Sequence, residues 1–186
     1  MTREKMMKKV YLAVLLSLFL ITPARAADDI SVYDVINQED TTTFSYLMML
    51  GYDINDGDQD GNTALMIASA LGKARFVNFL LDNGADVDLI NNEGLTAMHR
   101  AAQAGNNEII DILFTAGANI DMPDFAGYTP LMQAVEAERR FTVERLVTLG
   151  AYLGWRAKNG ESALSLAEHR KYKTIAAYLR NKGAKY

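Results

Sequence analysis

Residues 91–123 read NNEGLTAMHRAAQAGNNEIIDILFTAGANIDMP, and this stretch is the unit that the rest of the chain repeats. Displaced by 33 residues toward the start, Gly94 falls on Gly61, Thr96 on Thr63, Ala101 on Ala68, Gly105 on Gly72, Leu113 on Leu80 and Gly117-Ala118 on Gly84-Ala85. Displaced toward the end, the same phases give Gly127, Thr129, Ala134, Leu146 and Gly150-Ala151, then Gly160, Ser162, Ala167, Leu179 and Gly183-Ala184. A fixed period of this length marks one supersecondary unit stacked along an axis, because such a unit buries its apolar face only against its neighbours.

Each copy carries the chemistry of a turn and two short helices. The Asp/Asn-x-x-Gly opening suits a tight turn: the acid or amide bonds its own backbone, and glycine accepts a positive φ. Thr63, Thr96, Thr129 and Ser162 stand where a hydroxyl caps a helix, and Pro130 takes the first helical position, where no amide is missed. Ile109, Ile110, Leu113 and Phe114 give the second helix an apolar stripe that ends at a glycine suited to a left-handed cap.

The blocks Gly94-Leu95-Thr96-Ala97-Met98-His99-Arg100-Ala101-Ala102 and Leu113-Phe114-Thr115-Ala116-Gly117-Ala118 resemble the ankyrin repeat, whose pattern is roughly G-x-T-P-L-H-x-A-A followed by L-L-x-x-G-A. The resemblance runs from Asp58 to about Ala184 and implies an all-α solenoid of helix-turn-helix units with hairpin-like tips. The T-P-L-H core departs to T-A-L-M, T-A-M-H, T-P-L-M and S-A-L-S, and the glycine between the helices becomes Glu138 and Lys171, which questions the regularity of the last two inter-helix turns.

The chain ahead of Asp58 holds two different things. Arg3, Lys5, Lys8 and Lys9 precede the apolar run Val10 to Ile21, and Ala24-Arg25-Ala26 closes it; residues 1–26 therefore read as a cleavable secretory signal peptide. The run is short for a membrane span, which takes about 20 residues. From residue 27 to 57 the chain keeps phase, with Gly51 one period before Gly84, and reads as a leading cap. Its second helix is expected over Thr41–Leu50, with Phe44, Leu47, Met48 and Leu50 inside, and its first around Ile30, Val32, Val35 and Ile36. Full repeats at 58–90, 91–123 and 124–156 follow, then a closing cap at 157–186.

Without the leader, 22 acidic and 14 basic side chains remain, a formal net charge of −8. An acidic solenoid is a poor partner for phosphate backbones, so nucleic acid is not the expected ligand. The absence of cysteine excludes a thiol nucleophile, a disulfide framework and a cysteine zinc site.

Catalytic and metal motifs are weak. Asp56-Gly57-Asp58-Gln59-Asp60-Gly61 opens like a calcium loop, but its twelfth position is Ile67 where a bidentate acid belongs, so it reads as a hairpin tip, with a weak calcium site as the alternative. His99 falls on the family's structural histidine position, His169 reads as exposed, and the pair lacks zinc-ligand spacing. No nucleophile motif or phosphate loop stands out, and no enzyme, cofactor or metal is expected.

What the resemblance implies is a protein-binding surface made of hairpin tips and the exposed side of the first helices. Carried onto this chain, it points to Ile90, Leu95, Phe125 and Tyr128 as large apolar groups at solvent-facing tips, with Arg156 beside them. Trp155 either joins that patch or packs within the hairpin. The expected function is an exported, non-catalytic module, monomeric when unbound and not inserted in a membrane after cleavage. It would act in the periplasm, or outside the cell, as a scaffold for one protein or as an inhibitor or immunity protein against an exported enzyme or toxin.

Overall fold

The computed structural model describes residues 31–185; the leader, its expected cleavage site and Ile30 lie outside the described residues. Among the described residues ten helices form five pairs: α1 (Val32–Asn37) with α2 (Thr41–Met49), α3 (Ala64–Leu71) with α4 (Ala74–Asp82), α5 (Ala97–Ala104) with α6 (Asn107–Thr115), α7 (Pro130–Glu136) with α8 (Arg140–Thr148), and α9 (Ala163–His169) with α10 (Lys173–Asn181). No strand occurs among the described residues, only an isolated antiparallel bridge between Gly57 and Thr63. The first helices stack in the order α1, α3, α5, α7, α9, and the second helices α4, α6, α8, α10 stack beside them.

The starts follow from hydroxyl chemistry. Thr63, Thr96, Thr129 and Ser162 each accept the backbone N–H of the third residue into the helix, which satisfies a donor that would otherwise be orphaned. In the first pair Ser31 and Asp40 play that part for α1 and α2. Between the paired helices one residue always turns left-handed: Gly72 and Gly105 where glycine is present, but Glu39, Glu138 and Lys171, at φ of 54°, 55° and 63°, where it is not. The turn is therefore regular in every copy, and the last two keep it at the cost of a side chain in a disfavoured conformation.

Packing explains the period. Ala68, Ala101, Ala134 and Ala167 are fully buried, and a side chain of one methyl lets the first helices approach closely. Leu80, Leu113, Leu146 and Leu179 are equally buried one helix over. At the first joint rings fill the space, with Phe44 edge-on to Tyr52, Phe76 and Phe79 at centroid distances of 5.3–6.1 Å. Two of the positions expected on the apolar side of their helices lie outside the core: Leu50 caps α2 rather than continuing it and is 37% exposed, and Phe114 is exposed at 38%.

One polar clasp crosses a joint from inside the core. The His99 Nδ1 accepts the Thr96 backbone N–H at 3.1 Å, so Nε2 carries the proton and donates to the Tyr128 carbonyl of the next copy at 3.1 Å. Burial pushes the imidazole below its usual range, against the opposing influence of the Tyr128 carbonyl and Asp124, with Arg100 adding to the depression. The equivalent positions hold Met66, Met132 and Ser165, so this clasp belongs to one joint.

Three outcomes are expected. Leu113→Ala costs about 2–5 kcal/mol in a urea melt, the range for truncating a buried leucine. Glu138→Gly and Lys171→Gly each stabilise by about 0.5–1 kcal/mol, because relief of left-handed strain outweighs the added freedom of the unfolded chain. His99, neutral when folded, takes up a proton more readily when unfolded; stability therefore holds above about pH 6.5 and falls as pH drops below it. Melting temperatures between pH 7 and 5 should show that decline in the parent and a shallower one in His99→Met.

Candidate binding face

The hairpin tips are built from short side chains that fold back on their own backbone. The Oδ1 atoms of Asp58, Asn91 and Asp124 each accept two N–H groups, from Asp60 and Asn62, Glu93 and Leu95, and Ala126 and Tyr128, at 2.8–3.0 Å. The fourth tip has Ala157 at that position, and the Asn159 Oδ1 accepts the Glu161 N–H instead. Since Asp58 gives its carboxylate to this turn and to the Asn62 amide, the calcium-like run is used as a hairpin brace. Among the described residues no group of three or more His, Asp or Glu side chains is placed to hold a metal ion.

Neighbouring tips are tied together. Asn92 donates its N–H to the Asp60 carbonyl, Phe125 to Glu93 and Lys158 to Ala126, each at 3.0 Å. A second line of clasps runs one turn away, where Asn55, Asp88 and Asp121 accept the N–H groups of Asp86, Asn119 and Tyr152 at 2.9–3.0 Å. Side chains on the tips are thus carried by a continuous hydrogen-bonded row rather than by separate loops.

On that row the expected contact residues divide. Ile90 and Phe125 stand out into solvent at 46% and 56% exposure. Phe125 leaves its own tip over Gly94 of the preceding one, so closely that a Cβ added there would meet the Phe125 backbone nitrogen at 2.6 Å. Arg156 is exposed and bonds the Gly160 carbonyl across its own hairpin. Trp155 is half-buried, with its indole N–H donating to the Gly127 carbonyl of the preceding tip at 3.0 Å. Leu95 corrects the reading from sequence: it is 2% exposed, a buried position at the base of its tip just ahead of the Thr96 cap rather than a solvent-facing one. Tyr128 is partly buried and is joined to the next copy through its hydroxyl.

That hydroxyl belongs to a polar cluster which single positions did not reveal, although the 33-residue step from Tyr128 to Glu161 is its signature. The Tyr128 hydroxyl donates to Glu161 Oε2 at 2.7 Å, the Asn159 amide donates to the same oxygen at 2.7 Å, and His169 Nδ1 lies 3.0 Å from Oε1. These bonds, Tyr128 first, hold the Glu161 carboxyl down at about 2, while the hydrogen bond to Glu161, and after it burial, push the Tyr128 phenol up. The stability from Glu161 is present above the ordinary carboxylate range and is lost as pH falls toward 2, well below the window in which His99 acts. Next to it, Gln103 donates to Gln133, which donates to Asp124 at 2.7 Å, extending a polar strip along the first helices.

The comparisons agree with this geometry. The family model described as ankyrin repeats (3 copies) matches residues 32–124, half of the chain. No curated protein matches at a significant level. The match starts at Val32, so the leading pair is included, and beyond its end α7 to α10 repeat the same caps, turns and buried columns. On the matched repeats, with the stacked helix pairs and tied hairpins they build, the chain belongs to the ankyrin-repeat family.

Proposed function

We propose that the chain is an exported, non-catalytic module that grips one protein through its hairpin-tip and first-helix side, holding or stabilising that client in the periplasm. Ankyrin repeats are protein–protein interaction modules, and that much follows from the family. The observation that carries the choice of surface is the exposure of Phe125 and Ile90 on a tip row whose backbone is fixed by bonds between copies. Apolar side chains held rigidly lose little entropy on docking, which is what makes aromatic anchors effective at the centre of interfaces. Export is supported by the basic, apolar and small-residue order of the leader segment.

The double variant Ile90→Ser, Phe125→Ala is expected to lose the partner captured by the parent chain from a periplasmic extract. Its melting temperature should barely move, because exposed substitutions stay within about 0.5 kcal/mol. Capture that survives the double variant removes these residues from the interface. Accumulation of the full chain in the cytosol, with the leader still attached, removes the exported reading.

A further inference from the structure

At the opposite end of the same side lies a groove of about 550 Å³ walled by α1, α3 and the first hairpin tip. Val32, Tyr33, Tyr52, Met66, Ile67 and Leu71 give it an apolar floor, and Tyr33 is half open to solvent. Asp58 lines it, and Asp53, Asp56 and Asp60 are exposed on the adjoining turns. Residues 31–90 carry ten acidic and two basic side chains, and both basic ones, Lys73 and Arg75, sit at the far end of the helices, beyond the groove. The field is felt at the wall, where burial and then Asp56, Asp58 and Asp53 push the Tyr52 phenol up. On the tip side Arg100, held by Asn62 at 2.8 Å, is the cation among the described lining residues.

We infer that this groove binds an extended polypeptide segment in which apolar side chains alternate with lysine or arginine, the apolar groups entering between the tyrosines and the cations facing Asp56 and Asp60. The chemistry favours this occupant on three counts. The floor is too apolar for a purely polar ligand, the rim repels an acidic one, and tyrosine faces in a negative field attract ammonium and guanidinium groups. The groove is separate from Ile90 and Phe125, so it stands or falls independently of the tip patch.

The test titrates the chain lacking residues 1–26 with a short fluorescein-labelled peptide of alternating lysine and leucine, followed by anisotropy. Saturable binding is expected, with a loss of about tenfold in Asp56→Asn, Asp60→Asn and in Tyr33→Ser. Glu108→Gln, Glu138→Gln, which removes the same charge elsewhere, and Phe125→Ala should leave the titration unchanged. Asp56 and Asp60 make no side-chain bond in their turn, so the asparagine variant should retain the parent melting curve. Equal binding of a lysine–glycine peptide, an equal loss in the Glu108/Glu138 variant, or no binding would overturn the assignment. So would a dimer in sedimentation that blocks the peptide and dissolves in the Asp56/Asp60 variant, because a second copy would then be the occupant.

Discussion

A pair of helices six to nine residues long has no interior of its own, and everything else in this molecule follows from the need to borrow one. The buried alanines at 68, 101, 134 and 167 set how near the first helices come, and the leucines at 80, 113, 146 and 179 fill the space that this approach leaves. The ends show what happens when one neighbour is missing. At the start the alanine column opens with Val35 and the joint is packed with rings. At the finish, polar residues take over the outward positions of the last pair, with Glu168 where Ala102 and Val135 are buried and Arg180 where Leu81 and Val147 are half-buried.

Hydrogen bonds do not hold the joints equally. The line of Asn55, Asp88 and Asp121 clasps stops at Gly154, the Asx brace stops at Ala157, and the His99 clasp serves a single joint. The last joint instead has the bond from Lys158 to Ala126, the Tyr128–Glu161 link, the Trp155 indole on Gly127 and an exposed Arg170–Glu136 ion pair. Exposed pairs contribute about 0–1 kcal/mol, less than a buried bond that would otherwise leave a donor orphaned.

Periodicity made the fold legible and made the surface only half legible, for the same reason. Spacing by 33 residues fixes which side chains share a column, and it located the caps, the alanines and the leucines. It does not say whether a column is covered, because that depends on the size of the residues in the copies above and below. Leu95 is closed over, whereas Phe125, which lies against Gly94 of the preceding tip, stays out. The groove beside Tyr33 was harder still to foresee, since its lining comes from four segments in three copies and no local run of sequence announces it. Glu39 makes the same left-handed turn as Glu138 and Lys171, but the leading copy lacks the motif that sets the register.

The net charge of the chain conceals its distribution along the stack. Residues 31–90 hold ten acidic and two basic side chains, residues 91–123 four and one, and residues 124–185 six and eleven, so the sign reverses from −8 through −3 to +5. Helix layers pack about 8–10 Å apart, which puts the first and last pairs several screening lengths from one another at physiological salt. A partner at one end therefore feels that end's field and not the average. Ile90 and Phe125 lie near the reversal, with Asp56 and Asp60 to one side and Arg156 and Lys158 to the other. A client that covers the tips must carry the opposite gradient, because turning it end for end would set like charges together, and misplaced charge at an interface costs several kcal/mol. The apolar tips supply attraction without direction; the reversal of charge along the row supplies the direction.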